Sequence, residues 1–513
     1  MVVKTRSDIV YFICVAVVLI LAISLRTASF LSNVYNIHGD ECHSLYGSII
    51  PLKDVFSYYV QGANFLPVYK LIMKTIHHFF GFNWFLIKLP SYIFSVISVP
   101  LFYFVLRKMF KSRLVILCSL FLFAVNYTLL HFTMFAKPYM MEVCLNLLLL
   151  IMFLDFEDKI KTDKLKNCLF GFIIWTIFSI VCIFSSIPLL VIVAVYWVFL
   201  FIQALIHKNK SDIVKIFIAL TLFFSCFLVQ YSLLLYKFKE DVDLNAQWFC
   251  SDYYAIPNSI EAINSLIHFV FFEFQYFDSQ ITNMLHPVFV ILSVFLFLVG
   301  CFLLIFNKKI CGLSIVLPFI FFIVLSFCHI FPFNNRCITF LIPFFIIVFF
   351  YVLDFLIDKF KMHGSVLLLI VFSLFAYQIS NNYEKFIELF TADKFNYQLI
   401  NTIANADPKY TAIISVEPVC SYCLDSSNVI YLKTFIHPDN SIERYFSYKL
   451  KHYSTEFDNN LITDKKKVYL LDVDTHNSAL SLHIQKKIIE DGYVEIYRTP
   501  YKTFLNYILY EKI

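Results

Sequence analysis

The chain is poor in glycine and in charge. Only 9 of its 513 residues are glycine and 15% are charged, whereas 60% are hydrophobic. The basic residues form no concentrated stripe, so nothing in the composition indicates a nucleic-acid partner. The 62 phenylalanines partly reflect the coding bias of the source and do not indicate an aromatic binding surface. The repeated long apolar runs are typical of a polytopic α-helical membrane protein, whose surroundings are the lipid bilayer.

A cleavage site is also lacking after the first apolar run. Residues Ile9 to Leu31 are nearly all apolar and are long enough to cross a bilayer, which takes about 20 helical residues. Because no small-residue cleavage site follows, a retained anchor is favoured over a signal peptide that is removed.

Hydropathy in windows of about 19 residues predicts about 11 membrane spans in all. After the first, they lie near Trp84–Leu106, Leu114–His131, Tyr139–Leu154, Cys168–Phe184, Pro188–Ile206, Ile213–Leu235, Pro287–Phe306, Gly312–His329, Ile338–Leu356 and Val366–Ser380.

Lysine and arginine concentrate in the short loops of one face, which is therefore predicted to be cytoplasmic. These loops lie at residues 4–6, 107–113, 159–166, 208–215, 308–309 and 359–361. The N-terminus is then cytoplasmic and the C-terminus extracytoplasmic.

Three outer segments are long enough to carry function. The first, 32–83, includes a mixed apolar and polar stretch at 52–80 that suits helices lying in the membrane interface. The second, 236–286, is rich in acids and aromatic residues and could cap a site. The third, 381–513, has short apolar runs at 411–416, 429–432 and 468–472 and a helical pattern at 479–489. We expect a transmembrane module over 1–380 and a small soluble α/β domain over 381–513.

Cysteine patterns lack the features of a metal site. Cys420 and Cys423 form a C-x-x-C, but no second pair or suitably spaced histidines accompany it. A local disulfide or two free thiols is the default interpretation. Cys42 and Cys250, both in outer segments, could also form a disulfide.

An acid pair, Asp40-Glu41, lies just past the first span and is flanked by His38 and His43. Two adjacent carboxylates at a membrane exit indicate chemistry at the water–lipid boundary. The alternative for Asp40 is a solvated helix end.

Several motifs follow in order and resemble the GT-C membrane glycosyltransferases, in the branch of protein O-mannosyltransferases, aminoarabinose transferases and RgtA/B/C/D-like enzymes. Beyond the acid pair, they are Asn64–Tyr69, similar to a Pro-x-Tyr segment, Ile87–Ser91, similar to Arg-Leu-Pro-Ser, Phe135–Glu142, similar to Ala-Arg-Pro-Tyr, and Asn335–Pro343, similar to a late Arg-Tyr element. The departures are Lys88 and Lys137 where arginine is usual, and Cys337 where tyrosine is usual. Lysine keeps the charge but loses the bidentate fork.

The resemblance implies transfer of a sugar from a polyprenyl-phosphate donor to an extracytoplasmic lipid, glycan or protein acceptor, with inversion at the anomeric carbon. A carboxylate must take the acceptor proton, and Asp40 is the candidate base. Charge on the departing phosphate requires a cation or metal. Lys137 and Arg336 are the first candidates to bind the phosphate, with snorkelling to the interface as their alternative.

Other residues have weaker assignments in this scheme. Tyr139 and Lys88 are further candidates for the same phosphate pocket. For Glu41, three roles stay open: binding a divalent metal ion with His43, orienting the acceptor, or capping the following helix. Arg26, inside the first span, should point into the bundle or up to the headgroups and could pair with an acid.

Two other functions stay open. A lipid-linked oligosaccharide ligase or polymerase differs mainly in its donor. A flippase or transporter would share the hydropathy but usually has polar or broken helices near the membrane midplane, whereas the candidate charges here cluster at span ends. The low glycine content, short cytoplasmic loops and RgtA-like pattern favour a bacterial inner membrane.

Overall fold

A computed structural model gives the architecture of the chain. The structure describes residues 6–34, 41, 52, 67–81, 83–162, 169–208, 210–232, 285–327, 331, 337–360, 364, 366, 369, 373, 387, 389–390, 411–415, 429–432, 453–454, 462, 464–472, 479–498 and 506–512.

The first long helix, α1 (Arg6–Ser32), has the length and hydropathy of a membrane span. Ile13, Val17 and Ile20 are exposed along one face of it. Their spacing of four and three residues places them on one stripe of the helix. Such a stripe suits contact with lipid, while the opposite face packs into the protein.

Two further helices, α2 (Pro67–Phe80) and α3 (Trp84–Met109), are separated by a tight turn. Gly81 has a φ of 69°, a left-handed conformation that glycine adopts without steric cost and that ends helices. Its N–H donates to the His77 carbonyl at 2.9 Å. Asn83 then caps α3, because its side-chain oxygen accepts from the Phe85 N–H at 2.9 Å.

The next apolar run is broken into α4 (Arg113–Val125) and α5 (Tyr127–Thr133), with a bend of 47° between them. The ψ of Asn126 is 121°, which is outside the helical range, and its side chain accepts from the Leu129 N–H at 3.0 Å. Asparagine is a preferred N-cap residue, so Asn126 ends one helix and starts the next.

Seven more helices complete the membrane module. They are α6 (Tyr139–Lys161), α7 (Leu169–Ile183), α8 (Ile187–Ile206), α9 (Lys210–Gln230), α10 (Leu285–Lys308), α11 (Ile310–Phe327) and α12 (Ile342–Phe360), the last preceded by a 3-10 turn at Thr339–Leu341.

Hydropathy and length support the predicted spans. The predicted spans up to Leu356 all overlap helices of the described chain, and the run predicted at 366–380 lies mostly outside it. Among the described helices, six are long and apolar enough to cross a membrane, or seven if α4 and α5 form one span. The helices at 170–183, 294–308 and 310–325 are apolar but shorter. The sequence predicted Leu114–His131 as one span, and the structure divides it at Asn126.

Aromatic side chains fill much of the space between α6, α7 and α8. Trp175 packs edge-on against Trp197, with ring centroids 5.8 Å apart, and against Phe156 at 5.3 Å. Edge-to-face pairs are a favoured aromatic geometry. Both tryptophans are almost fully buried, so this cluster is part of the core of the bundle.

A buried carboxylate ties α12 to the residues that precede α4. Asp354 is buried, and its two oxygens accept from the backbone N–H groups of Ser112 (2.9 Å) and Lys111 (3.2 Å). Asp358, one turn further along α12, instead forms an exposed ion pair with the Lys111 ammonium at 3.0 Å.

The C-terminal region contains a six-stranded sheet, as the predicted α/β domain requires. Its strands are β1 (Thr411–Ser415), β2 (Val429–Leu432), β3 (Tyr453–Ser454), β4 (Lys467–Asp472), β5 (Tyr493–Arg498) and β6 (Asn506–Lys512), in the order β3-β2-β1-β4-β6-β5. β1 pairs in parallel with β2 and β4, and β2 pairs in parallel with β3. β6 pairs antiparallel with both β4 and β5.

One helix, α13 (Ala479–Glu490), packs its buried Ile484 and Ile488 with Val468 and Leu470 of β4. This core accounts for the apolar runs that predicted strands at 411–416, 429–432 and 468–472 and a helix at 479–489.

The chain forms two compact units. One comprises Met1–Leu31, Phe56–Ile72 and Lys88–Phe390, and the other comprises Ser32–Val55, Met73–Ile87 and Thr391–Ile513. The domain boundary predicted at residue 380 lies outside the described residues and stays a prediction.

Candidate active site

A polar face runs along α3 inside the apolar bundle. Lys88, Ser91, Ser95 and Ser98 follow one another at spacings of three and four residues, so they share one face of the helix. All four are fully buried. Polar groups in such surroundings cost free energy unless they bond to protein, and the serines do so: Ser98 Oγ, for example, donates to the Ser95 carbonyl at 2.6 Å.

A short turn at 134–138 joins α5 to α6 and carries Lys137. The Lys137 N–H donates to the Phe135 carbonyl at 2.8 Å, and the Glu142 N–H donates to the Pro138 carbonyl at 2.9 Å. The turn is therefore held closely at both ends. The Lys137 side chain is only 3% exposed, so protein encloses it.

Two hydroxyl groups hold the Lys137 backbone in place. Ser91 Oγ donates to the Lys137 carbonyl at 2.8 Å, and the Tyr69 hydroxyl lies 3.3 Å from Ser91 Oγ. Because the Ser91 proton is used on the carbonyl, Tyr69 must be the donor in the second bond. Tyr69 is itself fixed by α2, whose Val68 N–H donates to the Phe184 carbonyl at 3.2 Å.

These bonds bring together three motifs that lie far apart in the sequence. Tyr69 belongs to the Pro-x-Tyr segment, Ser91 to the Leu-Pro-Ser segment and Lys137 to the Lys-Pro-Tyr segment. Lys88 lies one turn before Ser91 on the same face, and Tyr139 begins α6 with its ring 4.7 Å from that of Phe132. The structure thus collects Lys88, Lys137 and Tyr139 at one end of the bundle, while their phosphate role stays a prediction.

Lys70 is a further buried lysine, to which sequence reasoning gave no role beyond an interfacial segment. Its side chain is 4% exposed, beside Tyr69 on α2. Burial lowers the pKa of Lys70 from 10.5 to about 8, because desolvation disfavours the charged form. The available signal was Lys70's place directly after the Pro-x-Tyr segment.

Arg26 points into the bundle, as predicted, and is fully buried. Its Nε donates to Ser95 Oγ at 3.0 Å, and its terminal nitrogens donate to the carbonyls of Ala22 (3.2 Å), Ala124 (3.1 Å) and Phe123 (3.3 Å). The guanidinium also lies 5.5 Å from the centroid of the Phe123 ring. The alternative in which Arg26 pairs with an acid is wrong for the described residues: its donors go to carbonyls and a hydroxyl.

Glu142 is a buried acid at the end of the Phe135–Glu142 motif, and no role was predicted for it from the sequence. It lies in the first turn of α6 and is fully buried, with the Ser186 side chain beside its carboxyl group. Asn146, one turn later, donates its amide to the Phe340 carbonyl at 2.9 Å. Glu142 and Asn146 lie on the same face of α6, and Asn146 connects this face to the 3-10 turn at Thr339–Leu341.

The acid pair is only partly described. Asp40, His38, His43 and Arg336 lie outside the described residues, and their predicted roles are untested. Glu41 is described and fully buried. No group of three His, Cys, Asp or Glu side chains converges within the described part of the chain. A divalent metal ion held by Glu41 and His43 therefore stays a prediction.

The cysteines of the described helices, such as Cys144 and Cys182, are free thiols. Cys42, Cys250, Cys420 and Cys423 lie outside the described residues. The predicted alternatives of disulfide and free thiol at these positions remain open.

Comparison by sequence gives no relative. No family model matches the chain, and no curated protein matches it.

Comparison by structure gives clear matches. ArnT from Cupriavidus metallidurans bound to undecaprenyl phosphate matches with a TM-score of 0.54 at 10% identity, covering 99% of each chain. Its apo state matches with a TM-score of 0.53. The archaeal oligosaccharyltransferase AglB from Archaeoglobus fulgidus, in complex with an inhibitory peptide and a dolichol-phosphate, matches with a TM-score of 0.50 at 11% identity, covering 98% of this chain and 74% of AglB.

These likenesses confirm the predicted fold class. The chain has the fold of the GT-C membrane glycosyltransferases, with several membrane-spanning helices and a small sheet near its C-terminus. It is an integral, multi-pass membrane protein.

Proposed function

We propose that the protein transfers a sugar from a polyprenyl-phosphate donor to an extracytoplasmic acceptor, with inversion at the anomeric carbon. The observation that carries the proposal is the likeness to ArnT over 99% of both chains, because that transferase is bound to undecaprenyl phosphate. AglB, which has the same general fold, is bound to dolichol-phosphate. Both neighbours thus hold a lipid phosphate.

The buried lysines support a phosphate site at one end of the bundle. Lys88 and Lys137 are enclosed by protein, and the Lys137 backbone is held through Ser91. Cations placed in advance in a low-dielectric site stabilise the charge that develops on a leaving phosphate. Tyr139 adds a hydroxyl donor, and Arg336 is assigned to the same phosphate on the basis of the sequence motif alone.

In the proposed reaction the acceptor oxygen attacks the anomeric carbon. The bond from that carbon to the phosphate oxygen breaks, and its electron pair leaves with the polyprenyl phosphate. Asp40 takes the acceptor proton, since a hydroxyl is a weak nucleophile at neutral pH. The products are an inverted glycoside and free polyprenyl phosphate.

Transfer of a whole oligosaccharide is the second candidate function, and the likeness to AglB favours it. The chain spans only about three quarters of AglB but nearly all of ArnT. We therefore rank transfer of a single sugar first. The nature of the acceptor, whether lipid, glycan or protein, follows from neither likeness.

The test is release of polyprenyl phosphate from labelled polyprenyl-phosphate sugars by the purified protein, with a crude envelope extract as the acceptor source. We expect release by the native protein and loss of at least about a hundredfold in Asp40→Asn, the size of effect typical of a lost general base. Asp358→Asn, which changes an exposed acid on α12, is the matched control and should retain activity.

Three outcomes discriminate between the functions. Normal turnover by Asp40→Asn would remove Asp40 as the base. Release only from lipid-linked oligosaccharides would favour the ligase. Intact donors of every size, with folded protein, would favour a transporter.

A further inference from the structure

The break between α4 and α5 leaves the last carbonyls of α4 without their helical donors, and those of Phe123 and Ala124 are among them. In an unbroken helix the carbonyls of Phe123 and Ala124 would accept from the N–H groups four residues later, at Tyr127 and Thr128. The extended backbone at Asn126 removes both bonds. Within a membrane such groups must be satisfied by protein, because no water is at hand.

Arg26 supplies the missing donors from another helix. Its two terminal nitrogens reach the Phe123 and Ala124 carbonyls at 3.3 and 3.1 Å. An arginine presents five N–H donors in a rigid planar fork, so one side chain can serve both carbonyls and a hydroxyl together. The bend of 47° is therefore stabilised by a residue almost 100 positions away.

The same guanidinium is connected to the far end of α5. Arg26 Nε donates to Ser95 Oγ at 3.0 Å, and Ser95 Oγ lies 2.7 Å from Thr133 Oγ1. Thr133 uses its own proton on the Leu129 carbonyl at 2.7 Å, so Ser95 is the donor to Thr133. Arg26 thus holds the end of α4 directly and, through Ser95, the last residue of α5.

The turn that carries Lys137 begins immediately after Thr133. Thr133 is held by Ser95, and the Lys137 carbonyl is held by Ser91, one turn before Ser95 on α3. Both sides of the turn are therefore tied to the same face of α3. We propose that Arg26 is a positioning residue, which sets the direction of α5 and through it the place of the Lys137 ammonium. The inference rests on the proposed function only in assigning Lys137 to the lipid phosphate.

The consequence for binding is specific. Displacement of a charged group by about 1 Å can cost as much as a hundredfold in a well-aligned site. Arg26→Lys keeps the charge but loses the planar fork, so it should weaken binding of undecaprenyl phosphate about tenfold. Ser95→Ala cuts the connection to Thr133 without touching the charge, and should weaken binding in the same direction if Arg26→Lys does not fold.

The experiment is a double-mutant cycle in detergent micelles with undecaprenyl phosphate as the probe. Binding is measured for the native protein, Arg26→Lys, Ser95→Ala, Lys137→Met and each double variant. If Arg26 acts through Lys137, the double variant binds no more weakly than Lys137→Met alone, because coupled residues are non-additive. Additive losses, or native affinity in both Arg26→Lys and Ser95→Ala, would overturn the inference.

A second readout needs no ligand. Hydrogen exchange of the backbone amides at 127–138 should be faster in Arg26→Lys and Ser95→Ala, with α6 unchanged. Arg113→Lys is the matched control, since Arg113 forms an exposed ion pair with Asp8 at 2.5 Å and should leave 127–138 unaffected. If the native protein does not bind undecaprenyl phosphate, the proposed function fails, and exchange alone decides: unchanged rates at 127–138 in both variants refute the positioning role.

Discussion

Lys70 makes the stability of the protein depend on pH in a predictable direction. Burial lowers its pKa from 10.5 to about 8. The unfolded chain therefore binds more protons than the folded chain between these values, so folding stability rises with pH across this window. Below about pH 8 the cost of burying the ammonium is present in full, and above about pH 10.5 it is gone.

The size of the effect follows from the same pKa. At about 1.4 kcal/mol for each pKa unit, the cost at pH 7 is on the order of 3 kcal/mol. Lys70→Met removes the charge and keeps an unbranched apolar side chain of similar length. The stability of the variant relative to the native protein should therefore fall by about 3 kcal/mol between pH 7 and about pH 10.5.

The assay is unfolding in mild detergent by a titrated denaturant, at intervals from pH 7 to 10.5, for the native protein and Lys70→Met. Other titrating groups cancel in the difference between the two. Lys74→Met, one turn along α2 and only partly buried, is the matched control and should give a small difference. A Lys70→Met difference that stays constant with pH, or that grows in favour of the variant as the pH rises, would refute the reasoning.

Two further substitutions test buried carboxyl groups. Glu142→Met should be as stable as the native protein or more so, because burying a carboxyl group costs free energy that an apolar side chain does not. The neighbouring Ser186 oxygen still accepts from the Leu189 N–H in the variant. A loss above about 1 kcal/mol in the unfolding assay would contradict this. Asp354→Ala should cost about 1–3 kcal/mol, because it leaves the Ser112 and Lys111 N–H groups without their acceptor. Asp358→Ala breaks only an exposed ion pair and should cost under about 1 kcal/mol; equal losses in the two variants would show that the buried carboxylate has no special role.

The apolar runs were long enough to predict most of the helices. A stretch such as Tyr139–Leu154 must be helical in a membrane, because a helix satisfies its own backbone groups. The strands at 411–415, 429–432 and 467–472 were also predictable, since their apolar runs are short and rich in β-branched residues. Local patterns of apolar residues are therefore sufficient to predict these helices and strands.

The break at Asn126 was not predictable in the same way. The run from Leu114 to His131 contains neither glycine nor proline, which are the usual signals of a kink. The break is stable because Arg26, on a different helix, donates to the carbonyls it frees. Arg26 stood out in its apolar span, but nothing in either segment indicated that it would bind the carbonyls near Asn126.

The candidate site was predictable only in part. The order of the motifs along the chain indicated Lys88, Lys137 and Tyr139 as site residues, and the structure places them at one end of the bundle. The bonds that hold them, from Tyr69 to Ser91 and from Ser91 to the Lys137 carbonyl, depend on how helices pack and could not be inferred from spacing. Lys70 was overlooked because its burial is a tertiary property.

The contacts of Arg26 also constrain how the protein is made. Ribosomes synthesise α1 before α3 and α4, so a buried arginine exists in the nascent chain before the Ser95 hydroxyl and the Phe123 and Ala124 carbonyls that bind it. An arginine inside a membrane-spanning helix is costly until it is bonded to protein. We therefore expect α1 to settle fully into lipid only after α4 has emerged, about 100 residues after Arg26.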